Sequence, residues 1–317
     1  MPQITDFGTT SLGQKVEKIT LAAGDLEVSI LTWGAVLQSV RLAGISHNLT
    51  LGSDHLSDYE GDLRYHGSII GPVVNRLTNA SAQIGAKRHQ FDVNFNGRHT
   101  LHSGSAGTQT KVWKVVSVSP AAAVLAVDLP DGEGGFPGNR RIEAHFSVSA
   151  PATLCLSIVS VTDNDTLMNA TNHSYWNLDG TEDFSNHSLQ ITADHYLPAD
   201  HEFIATGEIR AVTPEMDFRR FKPLLPRSPN LDNCYVLGTD RTTMRDVLWL
   251  KSIGCTMCVA TTEPGVQVYD CRHAGYQGLA IETQGWPDAP NHPGFPPITL
   301  SPGDVLRQET TFTFTRE

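Results

Sequence analysis

The sequence predicts an all-β protein, most simply a large antiparallel β-sandwich. Short alternating runs of Val, Ile, Thr and aromatic residues recur along the whole chain, separated by Gly, Pro, Asn and Asp. Period-two alternation bounded by turn residues is the pattern of strands that bury one face. Amphipathic helix patterns are few. No strand-helix alternation and no G-x-G-x-x-G opening a helix suggests a doubly wound parallel sheet, and no fixed-period repeat suggests a propeller.

In chain order, the first clear strand is 26–32, Leu-Glu-Val-Ser-Ile-Leu-Thr, followed by one short helical turn within 54–60. Four further strands are expected at 114–118, 123–128, 141–148 and 153–160, all rich in β-branched residues. The polar and aromatic run 169–178, Asn-Ala-Thr-Asn-His-Ser-Tyr-Trp-Asn-Leu, reads as a strand with Thr171, His173 and Tyr175 on one face. Segment 278–284 reads as another, with Leu279 and Ile281 on one face and Ala280 and Glu282 on the other. Two long turn-rich segments, 131–139 and 286–297, are expected as loops. The prolines of the second cannot donate to a ladder and fix their own φ, so it is expected to be a stiff surface loop. Neither resembles a linker, and the simplest organisation is one domain over 1–317.

The chain has 317 residues, enough to bury a substantial core. Its 23 Lys and Arg against 34 Asp and Glu give a formal charge of −11, which argues against nucleic acid and anionic membrane surfaces as partners. No basic leader followed by an apolar run opens the sequence, and no apolar stretch is long enough to span a bilayer, so the expectation is a soluble cytoplasmic protein. Oligomeric state is left open. Five cysteines at irregular spacing do not form a disulfide framework. Cys255 and Cys258 make a lone C-x-x-C without a second pair or a strand-to-helix turn, and are expected as thiols on a strand. No H-x-H or H-E-x-x-H cluster calls for a metal, and no G-x-S-x-G calls for a serine nucleophile.

The chemistry-bearing candidates are His173, on a polar and aromatic face, and Glu282, on a strand end beside a small residue. Arg76 ends the run 71–76, Gly-Pro-Val-Val-Asn-Arg; its guanidinium suits a vicinal pair of hydroxyls or a structural ion pair. His102 lies in a Gly/Ser turn, and Asp232 can accept from hydroxyls or cap a turn.

Segments 71–76, 101–104 (Leu-His-Ser-Gly), 136–139 (Phe-Pro-Gly-Asn), 171–178, 264–269 (Pro-Gly-Val-Gln-Val-Tyr) and 282–293 occur in the order seen in aldose 1-epimerases, the galactose mutarotases. The chain resembles that family over nearly its whole length. The resemblance implies a β-supersandwich whose concave sheet holds an aldohexose, with Glu282 as general base and His173 as general acid. It further implies that Arg76, His102, Asp232 and Gln267 hold the sugar hydroxyls, with Asn75 beside Arg76. Departures from the family pattern are Pro72, where an Arg or another non-proline residue is more usual, and Ser103, in place of a common glycine.

Mutarotation needs one proton to leave the anomeric hydroxyl while another reaches the ring oxygen; the ring opens, the C1–C2 bond rotates, and closure gives the other anomer. That exchange requires no cofactor. Free Glu near 4.3 and free His near 6.5 stand on the appropriate sides of neutrality, and a carboxylate close to His173 is expected to favour its charged form. Tyr175, Trp176 and Trp286 are candidate apolar walls for the sugar. Alternatives are epimerisation of a hexose 6-phosphate, which calls for converging cations, a sugar-binding module lacking catalysis, and a two-carboxylate hydrolase pairing Glu282 with Asp232 or Asp288.

Overall fold

The computed structural model describes residues 3–316. Its largest sheet has nine strands in the order Lys114–Ser119, Ala122–Leu129, Arg140–Ser149, Thr153–Thr162, Leu306–Arg316, Cys255–Thr261, Arg245–Ser252, Ser188–Ile191 and Lys222–Pro223. Each neighbouring pair is antiparallel. The sequence explains the layering. Along Arg140–Ser149 buried and half-buried positions alternate almost without a break, so Ile142, Ala144, Phe146 and Val148 enter the core together. The next strand pairs with it over ten residues, from Arg140 opposite Thr162 to Ser149 opposite Thr153.

A six-stranded antiparallel sheet lies against this one, in the order Tyr175–Trp176, Leu279–Gln284, Gly265–Tyr269, Asp232–Val236, His195–Leu197 and Arg210–Ala211. Val266, Val268, Leu279 and Ile281 share one apolar cluster with Met257, Val259, Phe312 and Phe314 of the larger sheet. Trp176 stands between the sheets, its ring centroid 5.0 Å from Phe312 and 5.7 Å from Phe314. A four-stranded N-terminal meander, Gln3–Thr9, Lys15–Ala23, Leu26–Leu31 and Leu37–Leu42, adds Ile19, Leu21, Val28 and Ile30 to the same cluster. Because one face of the six-stranded sheet is committed to this core, the alternate residues point away from it. Those alternate residues are Ala280 and Glu282 on one strand, Gln267 and Tyr269 on the next.

The five strands expected between residues 26 and 160 all form, and the helical turn is Leu56–Glu60. Loop 286–297 departs from expectation. Trp286, Asp288, Ala289 and Phe295 are buried rather than on the surface, because the loop packs into a second apolar cluster with Val73, Leu77 and Phe136. Cys255 and Cys258 lie on one strand, three residues apart and so on opposite faces, with Cys255 buried; none of the five cysteines forms a disulfide among the described residues. Among the described residues no helix is long and apolar enough to cross a membrane.

Candidate active site

Strand register aligns the polar residues of the six-stranded sheet in two rows. Cys234 stands opposite Gln267, which stands opposite Glu282; Asp232 stands opposite Tyr269, then Ala280, then Tyr175. Glu282 is thus a carboxylate on an interior strand that is buried along its whole length, and is only 3% exposed. Both ends of its strand are tied to the segment carrying His173. The Asn169 amide bonds both backbone groups of Gly285, accepting from its N–H at 2.7 Å and donating to its carbonyl at 3.1 Å. The Asn177 amide donates to the Gln277 carbonyl at 2.7 Å.

Segment 169–178 is two short strands, Thr171–Asn172 and Tyr175–Trp176, rather than one. His173 lies between them, its N–H donating to the Ser68 carbonyl (2.9 Å) and its carbonyl accepting from the Gly67 N–H (3.0 Å). The break overturns the expected common face. His173 and Tyr175 line a cavity, while the Thr171 hydroxyl donates to the Thr283 carbonyl at 2.9 Å.

A corner of left-handed backbone supplies the opposite wall. Asn75, His102 and Ser103 all have positive φ (65°, 49° and 66°), a region Asn tolerates best among non-glycine residues. Ser103 compensates with its hydroxyl, which accepts from the Val73 N–H (2.7 Å) and donates to the Val73 carbonyl (2.8 Å). His102 donates its N–H to the Asn75 carbonyl at 2.9 Å, while its Nδ1 accepts from the Asn75 N–H at 3.2 Å. An accepting Nδ1 leaves Nε2–H as the donor. Arg76 follows, with Nη2 3.5 Å from Asp232 Oδ2; Asp232 also accepts from the Gln267 amide at 2.7 Å.

These elements enclose a cavity of about 680 Å³, within the ~300–1,000 Å³ range of small-molecule sites. Of the residues expected to act, Asn75, Arg76, His102, His173, Asp232 and Glu282 line it. Gln267 does not; it sits beside Glu282 and orients Asp232. Of the three expected aromatic walls only Tyr175 lines the cavity. Trp176 belongs to the core, and Trp286 packs against Phe295 with its indole N–H on the Pro264 carbonyl (3.1 Å). Asp288 is also elsewhere, accepting from the Thr78 N–H (3.0 Å) and the Asn291 amide (2.7 Å).

His173 Nε2 and Glu282 Oε1 are 3.5 Å apart. The expectation that the carboxylate would hold His173 charged is not met. Burial dominates both groups: it pushes His173 down to about 3 and Glu282 up to about 8, the Glu282 shift reinforced by Asp232 and opposed by Arg76. His102 is likewise held well below the usual histidine range by burial. His173 Nδ1, Glu282 Oε2 and Arg76 Nε are buried without a hydrogen-bond partner. Such groups are costly unless a ligand satisfies them. Among the described residues no set of three His, Cys, Asp or Glu side chains is arranged to hold a metal ion.

Residues not singled out in the sequence complete the wall, chiefly Tyr65, His66, Phe95, Phe203, Tyr269 and Arg272. The available signals were Tyr65-His66 just ahead of the run 71–76, and single phenylalanines in the polar turns at 95 and 203.

A buried carboxylate–imidazole pair backed by hydrogen-bonding groups, on the free face of a sheet in a large antiparallel sandwich, has the composition that acid–base chemistry on a polar small molecule requires. The family model "Aldose 1-epimerase" matches residues 17–313, and the chain belongs to that family, whose members are isomerases. It is 31% identical to galactose mutarotase of Bos taurus, over 97% of both chains, and 28% identical to aldose 1-epimerase of Escherichia coli K12, over 96% of this chain and 97% of that one. Among solved structures, the GalM/aldose epimerase homologue from C. elegans superimposes with a TM-score of 0.87 at 30% identity, covering 94% of this chain and 98% of that one.

Proposed function

We propose that this protein interconverts the α and β anomers of a free aldohexose such as galactose or glucose, as a single unit over 1–317. The observation that carries the reading is the 3.5 Å approach of His173 and Glu282 inside one buried cavity. Glu282 takes the proton from the anomeric hydroxyl and His173 gives one to the ring oxygen. After rotation about C1–C2 the same groups return the protons to either face of the carbonyl, and the site is restored without net change. Arg76, Asn75, His102 and Asp232 hold the hydroxyls, and Gln267 holds Asp232.

A neutral sugar suits the charge balance better than a sugar phosphate. Both cavity arginines are already matched to carboxylates, Arg76 to Asp232 and Arg272 to Asp270 at 2.8 Å. A phosphate would have to displace those partners. The two-carboxylate hydrolase loses Asp288 to its bonds with Thr78 and Asn291 and keeps only Asp232, which is engaged by Arg76 and the Gln267 amide; a non-catalytic module has no use for a buried acid–base pair.

Polarimetry on freshly dissolved α-galactose and α-glucose tests the reading. Glu282→Gln and His173→Asn are each expected to lose activity by about 100-fold or more, as removal of a general acid or base does, with the fold retained by circular dichroism. Full activity in Glu282→Gln overturns the mechanism. Preference for 6-phosphates over free sugars overturns the substrate class.

A further inference from the structure

Four cavity-lining residues carry a buried side-chain atom without a hydrogen-bond partner: Arg76 Nε, His173 Nδ1, Glu282 Oε2 and His66 Nδ1. The first three belong to residues already assigned to the sugar. The fourth has no role in the scheme above.

His66 is 7% exposed, and no protein hydrogen bond engages either of its ring nitrogens among the described residues. The main chain fixes where the ring lies. Its N–H donates to the Leu63 carbonyl at 2.9 Å, and the following residue, Gly67, donates to the His173 carbonyl at 3.0 Å. The imidazole stacks on Tyr175 at 4.1 Å with 23° between planes, and Tyr175 in turn is 5.0 Å from the His173 ring. The ring is therefore immobilised by stacking on one cavity residue and by the backbone of another. Its nitrogens are left uncommitted. A phenyl ring would pack on Tyr175 as well; an imidazole adds one donor and one acceptor, the pair of functions a sugar hydroxyl can answer.

We propose that His66 is a further sugar-contacting residue, whose imidazole hydrogen-bonds one hydroxyl of the bound aldose and makes the enzyme select for sugars carrying it. Burial holds the ring neutral, at about 4, so it offers a donor and an acceptor across the physiological range. The proposal rests on the mutarotase reading, since it needs a sugar in this cavity.

The test crosses one variant with a series of substrates: His66→Phe against wild type, on the parent hexose and its 2-, 3-, 4- and 6-deoxy forms, followed by polarimetry. Wild type should lose about 3- to 10-fold in kcat/KM on one deoxy sugar, the worth of a neutral hydrogen bond. His66→Phe should lose a similar factor on the parent sugar and nothing more on that same deoxy sugar, while the other deoxy sugars respond independently of the substitution. Additive losses at every position overturn the proposal. His66→Gln, which keeps a donor and an acceptor, should recover part of the discrimination; recovery by His66→Leu to the same degree points to packing and also overturns it.

The unaltered protein gives a separate reading. Addition of sugar should shift the imidazole ¹⁵N resonances of all three buried cavity histidines, His66, His102 and His173; a response confined to two is against the proposal. If wild type accelerates no free sugar, the mutarotase reading fails instead.

Discussion

Glu282 and His173 are each driven toward their neutral form by burial, which is the reverse of what free side chains 3.5 Å apart in water would do. The consequence is a count of protons. Glu282 protonated with His173 neutral holds one proton, and so does Glu282 ionised with His173 charged; the two are tautomers of one state. Burial favours the uncharged tautomer, and on the proposed mechanism sugar hydroxyls donating to the carboxylate favour the reactive one. A second proton binds only near His173's value of about 3, and the single proton leaves only near Glu282's value of about 8. The one-proton state therefore spans that whole interval. kcat/KM, corrected for the spontaneous reaction, should be level through neutrality and fall above about pH 8, where base survives but acid is lost. An upper limb at the unshifted histidine value of 6.5 would mean that His173 titrates as a free side chain, and would sink the shared-proton account. Both residues were legible in the sequence by type and segment. The direction of their shifts was not, because it depends on cavity walls drawn from the whole fold.

Two tight turns frame the cavity mouth, and they show where reading elements from sequence stops. The strands were legible because burial of one face imposes a period of two on the residues themselves. Turns obey no such period, and their contacts are long-range. In the first turn Phe95 bridges His99; in the second Ala199 bridges Ala205, with Phe203 at the tip at φ 62°. Glu202 ties them together through Arg98 and lies 3.6 Å from His99. Each turn sets a phenylalanine against one guanidinium: Arg76 Cζ is 4.8 Å from the Phe95 ring and 5.3 Å from Phe203. Cation–π contact of this kind contributes roughly 0.5–1 kcal/mol at a partly exposed site. It holds Arg76 in place, so on the role proposed for Arg76 its loss should fall on sugar binding. Phe203→Leu, which keeps apolar volume but removes the ring, is expected to raise KM about 2- to 5-fold with kcat unchanged. Phe203→Tyr should stay near wild type. Equal KM values for Leu and Phe at this position would leave the ring with no part in holding Arg76.

Across the whole molecule, the two side chains proposed to exchange protons with the sugar are 109 residues apart in sequence, taking 173 from 282. What unites them is the clamp of Asn169 and Asn177 on the ends of the Glu282 strand, together with a core shared by three sheets. Neither has a local signature; the order of the family's segments stood in for both. Enclosing this site also places titratable groups where water cannot reach them, and the fold as a whole carries the consequence. His66, His102, His173 and His187 are all buried and all held below the usual histidine value, His66 at about 4 and His173 at about 3. Below pH 6.5 the unfolded chain takes up protons that the folded chain refuses, so stability falls as pH falls. Glu282 acts in the opposite sense: its folded value near 8 lies above the unfolded 4.5, so the stability it contributes is complete below 4.5 and lost as pH rises through 8. Each proton is worth about 1.4 kcal/mol per pH unit. Between pH 5 and 6 His66 and His173 alone outweigh the glutamate by about one proton, a slope of roughly 1.4 kcal/mol per pH unit, and His102 and His187 act in the same sense. From pH 7 to 8 only the shallower Glu282 decline remains. The melting temperature at constant ionic strength should therefore peak near neutrality, dropping steeply on the acid side and gently on the alkaline side. Glu282→Gln, which cannot ionise, should abolish the alkaline decline and, by removing the proton that offsets the histidines, steepen the acid one; an unchanged alkaline limb in that variant would show that Glu282 is already ionised in the folded protein.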